Sequence, residues 1–299
     1  MTKVDELPKI SVVTPSFRQE QFLETAILSV LGQCYPNLEY LVMDGGSDDG
    51  SVAVIERYAG DLAFWQSKSD EGQADAINQG FARATGDILC WVNSDDFLLP
   101  GTLRKIARLL GSRVNQPALI YGSSLYFCEE NGSARVFKAR PFDRSLLCET
   151  DYIYQPSTFW TRSLWERTGP LDSQLHFGFD WDWYLRASLQ GEFLVCDEIL
   201  SGYRQHAGHK SGSGGESRRM EILEVVQRHG TSEQITAYRY AMAKFDMWER
   251  RNGVAAQFAR WRVPYASTVA HCLTPALWTR PTGLSSMRLR RCWGMLAPN

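Results

Sequence analysis

The sequence predicts an α/β protein whose core is a mostly parallel sheet flanked by helices, and three observations predict it. Short β-branched apolar runs alternate with stretches of helical period through the first hundred residues, the pattern of βαβ units. Three of those runs end in polar clusters, Thr14-Pro15-Ser16, Asp44 to Asp49 and Asn93 to Asp96. A parallel sheet gathers such clusters at the carboxyl ends of its strands, where ligands bind. Aromatic residues at 12% and charged residues at 22% of 299 describe a chain that can bury a large core rather than remain disordered.

The elements follow in order. Ile10–Thr14 is β-branched and stops at Pro15, so it reads as a strand. Gln21–Gln33 puts Phe22, Ala26, Ile27, Val30 and Leu31 on one helical face, with Pro36 beyond its end. Leu38–Met43 is the second strand, Ser51–Tyr58 a helix, Ala63–Gln66 an extended segment, and Ala74–Ala84 a helix stopped by Gly86. Ile88–Val92 is a further strand, and Pro100 and Thr102 open the next helix. A helix also starts near Gly178-Phe179-Asp180, and Ser217–His229 and Glu233–Arg250 are helical near the C-terminus.

Charge divides the chain. Residues 216–299 hold 13 Lys/Arg against 6 Asp/Glu, a net +7, and residues 1–215 hold 19 against 28, a net −9. The Ser/Gly-rich stretch Ser211–Gly215 reads as the joint, so the expected domains are 1–215 and a basic helical region 216–299. A total of −2 argues against a general nucleic-acid binder. Seven scattered cysteines without a Cys-x-x-Cys pair indicate neither a disulfide framework nor a zinc ribbon, and suggest a reducing, cytoplasmic compartment. Met1–Lys9 has no apolar stretch of a signal peptide, and Val263–Thr279 is too short and polar for a membrane span.

Paired carboxylates at the end of a buried strand repel one another unless something positive joins them, and hard oxygen ligands favour Mn²⁺ or Mg²⁺ with phosphate oxygens. Asp95 and Asp96 fit that description, and equally that of helix-capping loop residues. Gly-x-Gly-x-x-Gly after the first strand and a P-loop are both absent, which disfavours a dinucleotide oxidoreductase or P-loop kinase. Asp44–Gly50 fails as an EF-hand, because Gly46 stands at a ligand position and no Glu occupies the twelfth.

Ser11–Phe17, Ala26–Gln33, Asp44–Ser51, Ala76–Gly80, Thr85–Asp87 and Asn93–Asp96 together resemble, in order and spacing, family 2 glycosyltransferases of the bacterial cell-surface polysaccharide type, over roughly the first 210 residues. The resemblance implies the GT-A fold and a nucleotide-diphosphate sugar donor, UDP-type favoured. It also implies that Asp44 contacts the base with Thr14 and Pro15 beside it, and that Gln73, Asn78, Asp95 and Arg204 bind the donor. Asp96 of the DxD-like motif would hold the metal, with His206 as a further candidate ligand. Gly45 and Asn93 depart from that pattern, since many members carry Asp at both places. The Arg186 spacing makes Asp180 the implied general base, with Gln155, Trp181 and Asp182 toward the acceptor. Without the resemblance, Asp180 and Asp182 read as cap residues, and Arg204, His206 and Lys210 as a polar loop.

The expected function is therefore an inverting, metal-dependent transfer of one sugar to a glycan or lipid-linked glycan. The processive Gln-x-x-Arg-Trp signature is absent. Arginines interleaved with Trp248, Trp261, Trp278 and Trp293 suggest peripheral contact with the inner face of the cytoplasmic membrane, or a helical region packed on protein. Two alternatives stay open: an inert nucleotide-sugar-binding protein of the same fold, and a sugar-nucleotide nucleotidylyltransferase.

Overall fold

The computed structural model describes residues 7–206, 208, 210, 214–245 and 285–296. The chain forms two compact units, Met1–Arg144 with Tyr152–His209, and Ser145–Asp151 with Lys210–Asn299. The second unit thus begins earlier than expected, at 210, and also takes a seven-residue segment from the middle of the chain.

In the first unit the described residues form a nine-stranded mixed sheet. Strands β1 (Ile10–Ser16), β2 (Leu38–Asp44), β3 (Phe64–Ser67) and β4 (Ile88–Trp91) alternate with helices α1 (Glu20–Leu31), α2 (Ser51–Arg57) and α3 (Gln73–Arg83). They run parallel in the order β3-β2-β1-β4. Every residue of β1 and β4 is buried, as expected for strands covered on both faces, so their near-continuous apolar runs are the signal that survives. On one face α3 lies so close that a Cβ at Gly80 would stand 2.5 Å from a Val13 methyl, which is why that helix carries glycine there.

The short strand β5 (Phe97–Leu98) and helix α4 (Thr102–Leu110) precede the long strand β6 (Ala118–Cys128), its antiparallel partner β7 (Ala134–Phe137) and helix α5 (Arg144–Leu147). A turn at Gln155–Ser157 leads into β8 (Thr158–Thr161), helices α6 (Arg162–Thr168) and α7 (Phe179–Ala187), and strand β9 (Glu192–Gln205). Strand β8 runs antiparallel between β4 and β6, while β9 is parallel to β6, so the main direction resumes beyond it. Rings of Phe81, Trp91, Trp160, Trp165 and Trp183 pack at centroid distances of 4.7–6.4 Å and tie α3, β4, β8, α6 and α7 together. Truncating one such buried indole to Ala costs about 3–5 kcal/mol.

The second unit is helical. Helix α8 (Gly215–His229) buries Ile222, Val225 and Val226, the face its periodicity predicts, and a helix over 232–245, α9, buries Ala237, Tyr238 and Phe245. Helix α10 (Ser286–Leu296) lays Trp293 against Phe245 at 5.2 Å. Trp248, Trp261 and Trp278 lie outside the described residues. No helix among the described residues is long and apolar enough to cross a membrane.

Candidate active site

The polar ends of β1, β2 and β4 meet where the parallel strands stop, and β9 closes the group from across the sheet. Asp44, last in β2, is buried and shapes its own loop. Its carboxylate accepts from the Gly46 and Ser47 N–H groups at 3.1 and 2.9 Å and from the Ser47 and Ser67 hydroxyls, both at 2.6 Å. Ser16 faces it in register, and its buried hydroxyl has no hydrogen-bond partner among the described residues. Thr14 is one pleat too deep to line a pocket, being fully buried with Oγ1 3.0 Å from the Tyr40 hydroxyl, and Pro15 is buried beside it.

At the end of β4, Asn93 is the hub. Its Nδ2 donates to Asp96 Oδ2 at 3.1 Å and to Gln155 Oε1 at 3.2 Å, while its Oδ1 accepts from Gln73 at the start of α3 at 2.8 Å. Gln155 in turn donates to the Trp91 carbonyl at 2.9 Å. An Asp at position 93 has no N–H for either acceptor and would set a second charge against Asp96, so the amide that departs from the family pattern is the group this network needs.

The two adjacent aspartates have different surroundings. Asp96 is only 2% exposed and accepts from the Arg204 backbone N–H at 3.0 Å and from Asn93. Burial pushes its carboxyl well above the ordinary range and the neighbouring Asp95 adds to this, against the lowering effect of those two donors and Arg204. Asp95 is the one that faces His206, with Oδ2 3.2 Å from Nε2. The pair joins residues 111 apart through the closure of β9 on the loop after β4. Against His206 stacks Phe22 of α1, at 4.4 Å.

Arg204, expected to bind the donor, is engaged by its own chain. Its guanidinium donates to the Asp95 carbonyl at 3.0 Å, pairs with Glu129, and lies 4.8 Å from the rings of Phe22 and Phe127. It therefore holds the Asp95 loop. Asn78 is also structural, since its amide grips Leu171 N–H and carbonyl, both at 2.9 Å, and Ser173. That grip fixes the loop leading to α7.

Helix α7 brings Asp180 half-exposed at its first turn, where Oδ1 accepts the Trp181 N–H at 2.8 Å. Phe179, one residue earlier, packs its ring 6.3 Å from Trp91, which sets this turn beside the end of β4. Trp181 is 2% exposed and belongs to the core, so it offers no face to a sugar. Asp182 is buried and accepts from Arg186 Nε at 2.8 Å, an i,i+4 pair whose guanidinium also donates to the Thr168 and Pro170 carbonyls. The pair braces α7 against the chain before it and leaves Asp182 no acceptor role.

Among the described residues no group of three or more His, Cys, Asp or Glu side chains is arranged to hold a metal. The six described cysteines are free thiols, and all but Cys34 are buried; Cys272 lies outside the described residues.

The profile of Glycosyl transferase family 2 matches residues 11–159, from β1 through the Gln155 turn. An uncharacterized glycosyltransferase of Mycobacterium tuberculosis is 31% identical over 224 residues, 72% of this chain and 84% of that protein. The uncharacterized glycosyltransferase YwdF of Bacillus subtilis is 25% identical over 240 residues, 75% of this chain and 85% of the relative. Among solved structures, mannosyltransferase PcManGT from Pyrobaculum calidifontis in complex with GDP-Man and Mn²⁺ superposes with a TM-score of 0.60 at 17% identity, covering 97% of this chain and 84% of that one. TarS residues 1–349 of S. aureus in complex with UDP gives a TM-score of 0.56 at 17% identity, covering 77% and 70%.

Proposed function

The chain belongs to glycosyl transferase family 2 and is a glycosyltransferase, and from that premise we propose that it moves one sugar from a nucleoside-diphosphate sugar to a hydroxyl of a glycan or lipid-linked glycan by a single inverting displacement. The observation that carries this reading is the convergence of Asp95, His206 and the Asn93 network at the strand ends, with Asp180 on the adjoining helix turn. Complexes of the similar proteins with GDP-Man and UDP support a nucleotide-sugar donor, for which a UDP type is favoured here.

A divalent cation fits the donor set. One carboxylate oxygen and one imidazole nitrogen 3.2 Å apart suit Mn²⁺ or Mg²⁺ whose remaining positions are filled by phosphate oxygens and water. When bound, such an ion supplies positive charge for the departing diphosphate. Asp95 and His206 would hold it, Asp96 and Arg204 would fix the loop that carries Asp95, and Gln155 would hold Asn93 in place behind it. Asp180 takes the proton from the attacking hydroxyl, the general-base step an inverting transfer needs. Because one displacement suffices, the buried cysteines have no part in it.

The acceptor and setting follow the sequence expectation: cell-surface polysaccharide synthesis in the cytoplasm, with peripheral contact at the inner membrane face. Within the basic region Arg288 and Arg291 are already paired with Glu149, so membrane contact would rest on the other arginines. The test is transfer from UDP-sugars with Mn²⁺ by wild type and Asp180→Asn. Loss of about 10²–10⁴-fold in turnover with unchanged donor affinity is expected; full activity of the variant would remove Asp180 as the base.

A further inference from the structure

On one face of β6, β7 and β9 runs a row of aromatic side chains. Tyr126 of β6 stands in register with Tyr203 of β9 on one side and Arg135 of β7 on the other, and Phe137 lies two residues along β7. Tyr126 stacks on Tyr203 at 5.9 Å and meets Phe137 edge-on at 5.0 Å, while Phe137 stacks on Tyr154 at 4.6 Å with the rings 9° from parallel. Residues two apart on a strand share a face, so Ser124 and Ser201 stand on the face of Tyr126 and Tyr203. Ser201 Oγ is 3.1 Å from Ser124 Oγ and 2.6 Å from Ser157 Oγ, which sets the Gln155–Ser157 turn on that same face. Gln155 donates to the Trp91 carbonyl and Phe179 packs on the Trp91 ring, so the row ends beside the helix turn that carries Asp180.

The charge along this edge runs against that of its surroundings. Residues 134–144 hold four Lys/Arg against one Asp, a net +3, within the stretch 1–215 whose net is −9. Arg135 is exposed, with its guanidinium 4.7 Å from the Tyr126 ring and 4.5 Å from the Phe137 ring. Arg140 likewise lies 5.5 Å from the ring of Tyr152. Arg135, Lys138 and Arg140 have no ion-pair partner among the described residues. A guanidinium held over two rings is oriented beforehand and keeps its fork of N–H donors for an oxyanion.

We propose that this row is the acceptor track and that it takes a phosphate-bearing glycan, whose sugar rings lie along Tyr126, Phe137 and Tyr154 toward Asp180 while a phosphate sits in the Arg135 fork. The inference rests on the glycan-acceptor reading above. Tyr and Phe present apolar faces to the C–H faces of sugars, and the Tyr hydroxyls keep a polar tip for the sugar hydroxyls. One carboxylate is matched by a single guanidinium, whereas three unpaired cations within six residues suit the larger charge and additional oxygens of phosphate. An anionic acceptor approaching an acidic unit needs such local compensation, because like charges otherwise hold it off.

Interferometry of the full chain on immobilised phosphomannan, on the same mannan stripped of phosphate, and on polygalacturonate tests this. Wild type should bind phosphomannan about tenfold tighter than either other polymer, an advantage that shrinks as salt is added. Arg135→Ala should remove the advantage with UDP affinity unaltered, and Tyr154→Leu should weaken both mannans by the same factor; thermal melts check that each variant is folded. Equal binding of the two mannans by wild type, equal or tighter binding of polygalacturonate, unchanged phosphomannan affinity in Arg135→Ala, or no binding of any polymer would each overturn the inference. Calorimetry with UDP and Mn²⁺ on the same preparations keeps the two readings apart: UDP binding by a chain that ignores phosphomannan leaves the donor reading standing, and binding of neither overturns both.

Discussion

Two carboxylates of nearly equal burial show how differently the two units use charge. Glu149, with a side chain 4% exposed, lies in the C-terminal unit between Arg288 Nε at 2.5 Å and Arg291 Nη1 at 2.6 Å, and Arg288 also pairs with Glu233. Asp96 of the catalytic unit, 2% exposed, has no ion-pair partner among the described residues; it has two N–H donors and another carboxylate beside it. A carboxylate that holds the fold is neutralised by its own chain. One left short of positive charge stores an electrostatic cost that a ligand can relieve, and such groups concentrate at functional sites. Glu39 and Asp182 belong with Glu149: Glu39 is bonded by Lys9, Ser11 and Thr85, and Asp182 by Arg186.

The largest break in this comparison is expected from Glu149→Ala. It removes the carboxylate partner of Arg291 and leaves Arg288 with Glu233 alone, both guanidinium groups being only partly exposed, and should cost about 2–4 kcal/mol of stability in urea unfolding with UDP affinity unaltered. A change in affinity with no loss of stability would place Glu149 in the other class.

Next comes the acid limb. Burial alone would raise the Glu39 carboxyl, yet its hydrogen bonds from Lys9, Ser11 and Thr85 outweigh this and hold it at about 2. Because the folded value lies below the unfolded one, its contribution of up to about 3 kcal/mol is present at neutral pH and is lost as pH falls from about 4.5 toward 2. Glu39→Gln should flatten the stability profile over that window.

Asn93→Asp should be smaller in stability, about 1–2 kcal/mol, because it exchanges two donated hydrogen bonds for a repulsion beside Asp96. Its sharper effect is a drop in donor affinity, read by calorimetry with UDP and Mn²⁺. Smallest of all is Arg228→Ala, which removes the exposed i,i+4 partner of Glu224 on α8. About 0.3–0.5 kcal/mol is expected, with no change in activity.

Much of the catalytic unit is legible in the sequence, for a local reason. Strands β1, β2 and β4 and helices α1 and α3 fall within a residue or two of their apolar patterns, because each pattern is written in consecutive residues. Strand β9 hides from such reading. Its register against β6 shifts near Asp197 and Glu198, so alternation breaks and exposed residues interrupt the run. The seven-residue contribution of Ser145–Asp151 to the second unit has no local signal either. Individual roles at the site were the least legible. Thr14, Asn78, Arg204 and Trp181 carry the residue types a binding site uses, but each is claimed by a nearer structural partner or by the core.

The sequence by itself determined that three polar clusters end three parallel strands, because hydrophobic period and turn residues dictate where each strand stops. Only the tertiary structure decided that Asp95 rather than Asp96 meets His206, that Asn93 links Gln73 to Gln155, and that Asp70 fills the space left by Gly45. Those partners come from segments set side by side by strand order and loop stacking, and a hydrogen bond is decided by ångströms that no spacing along the chain encodes.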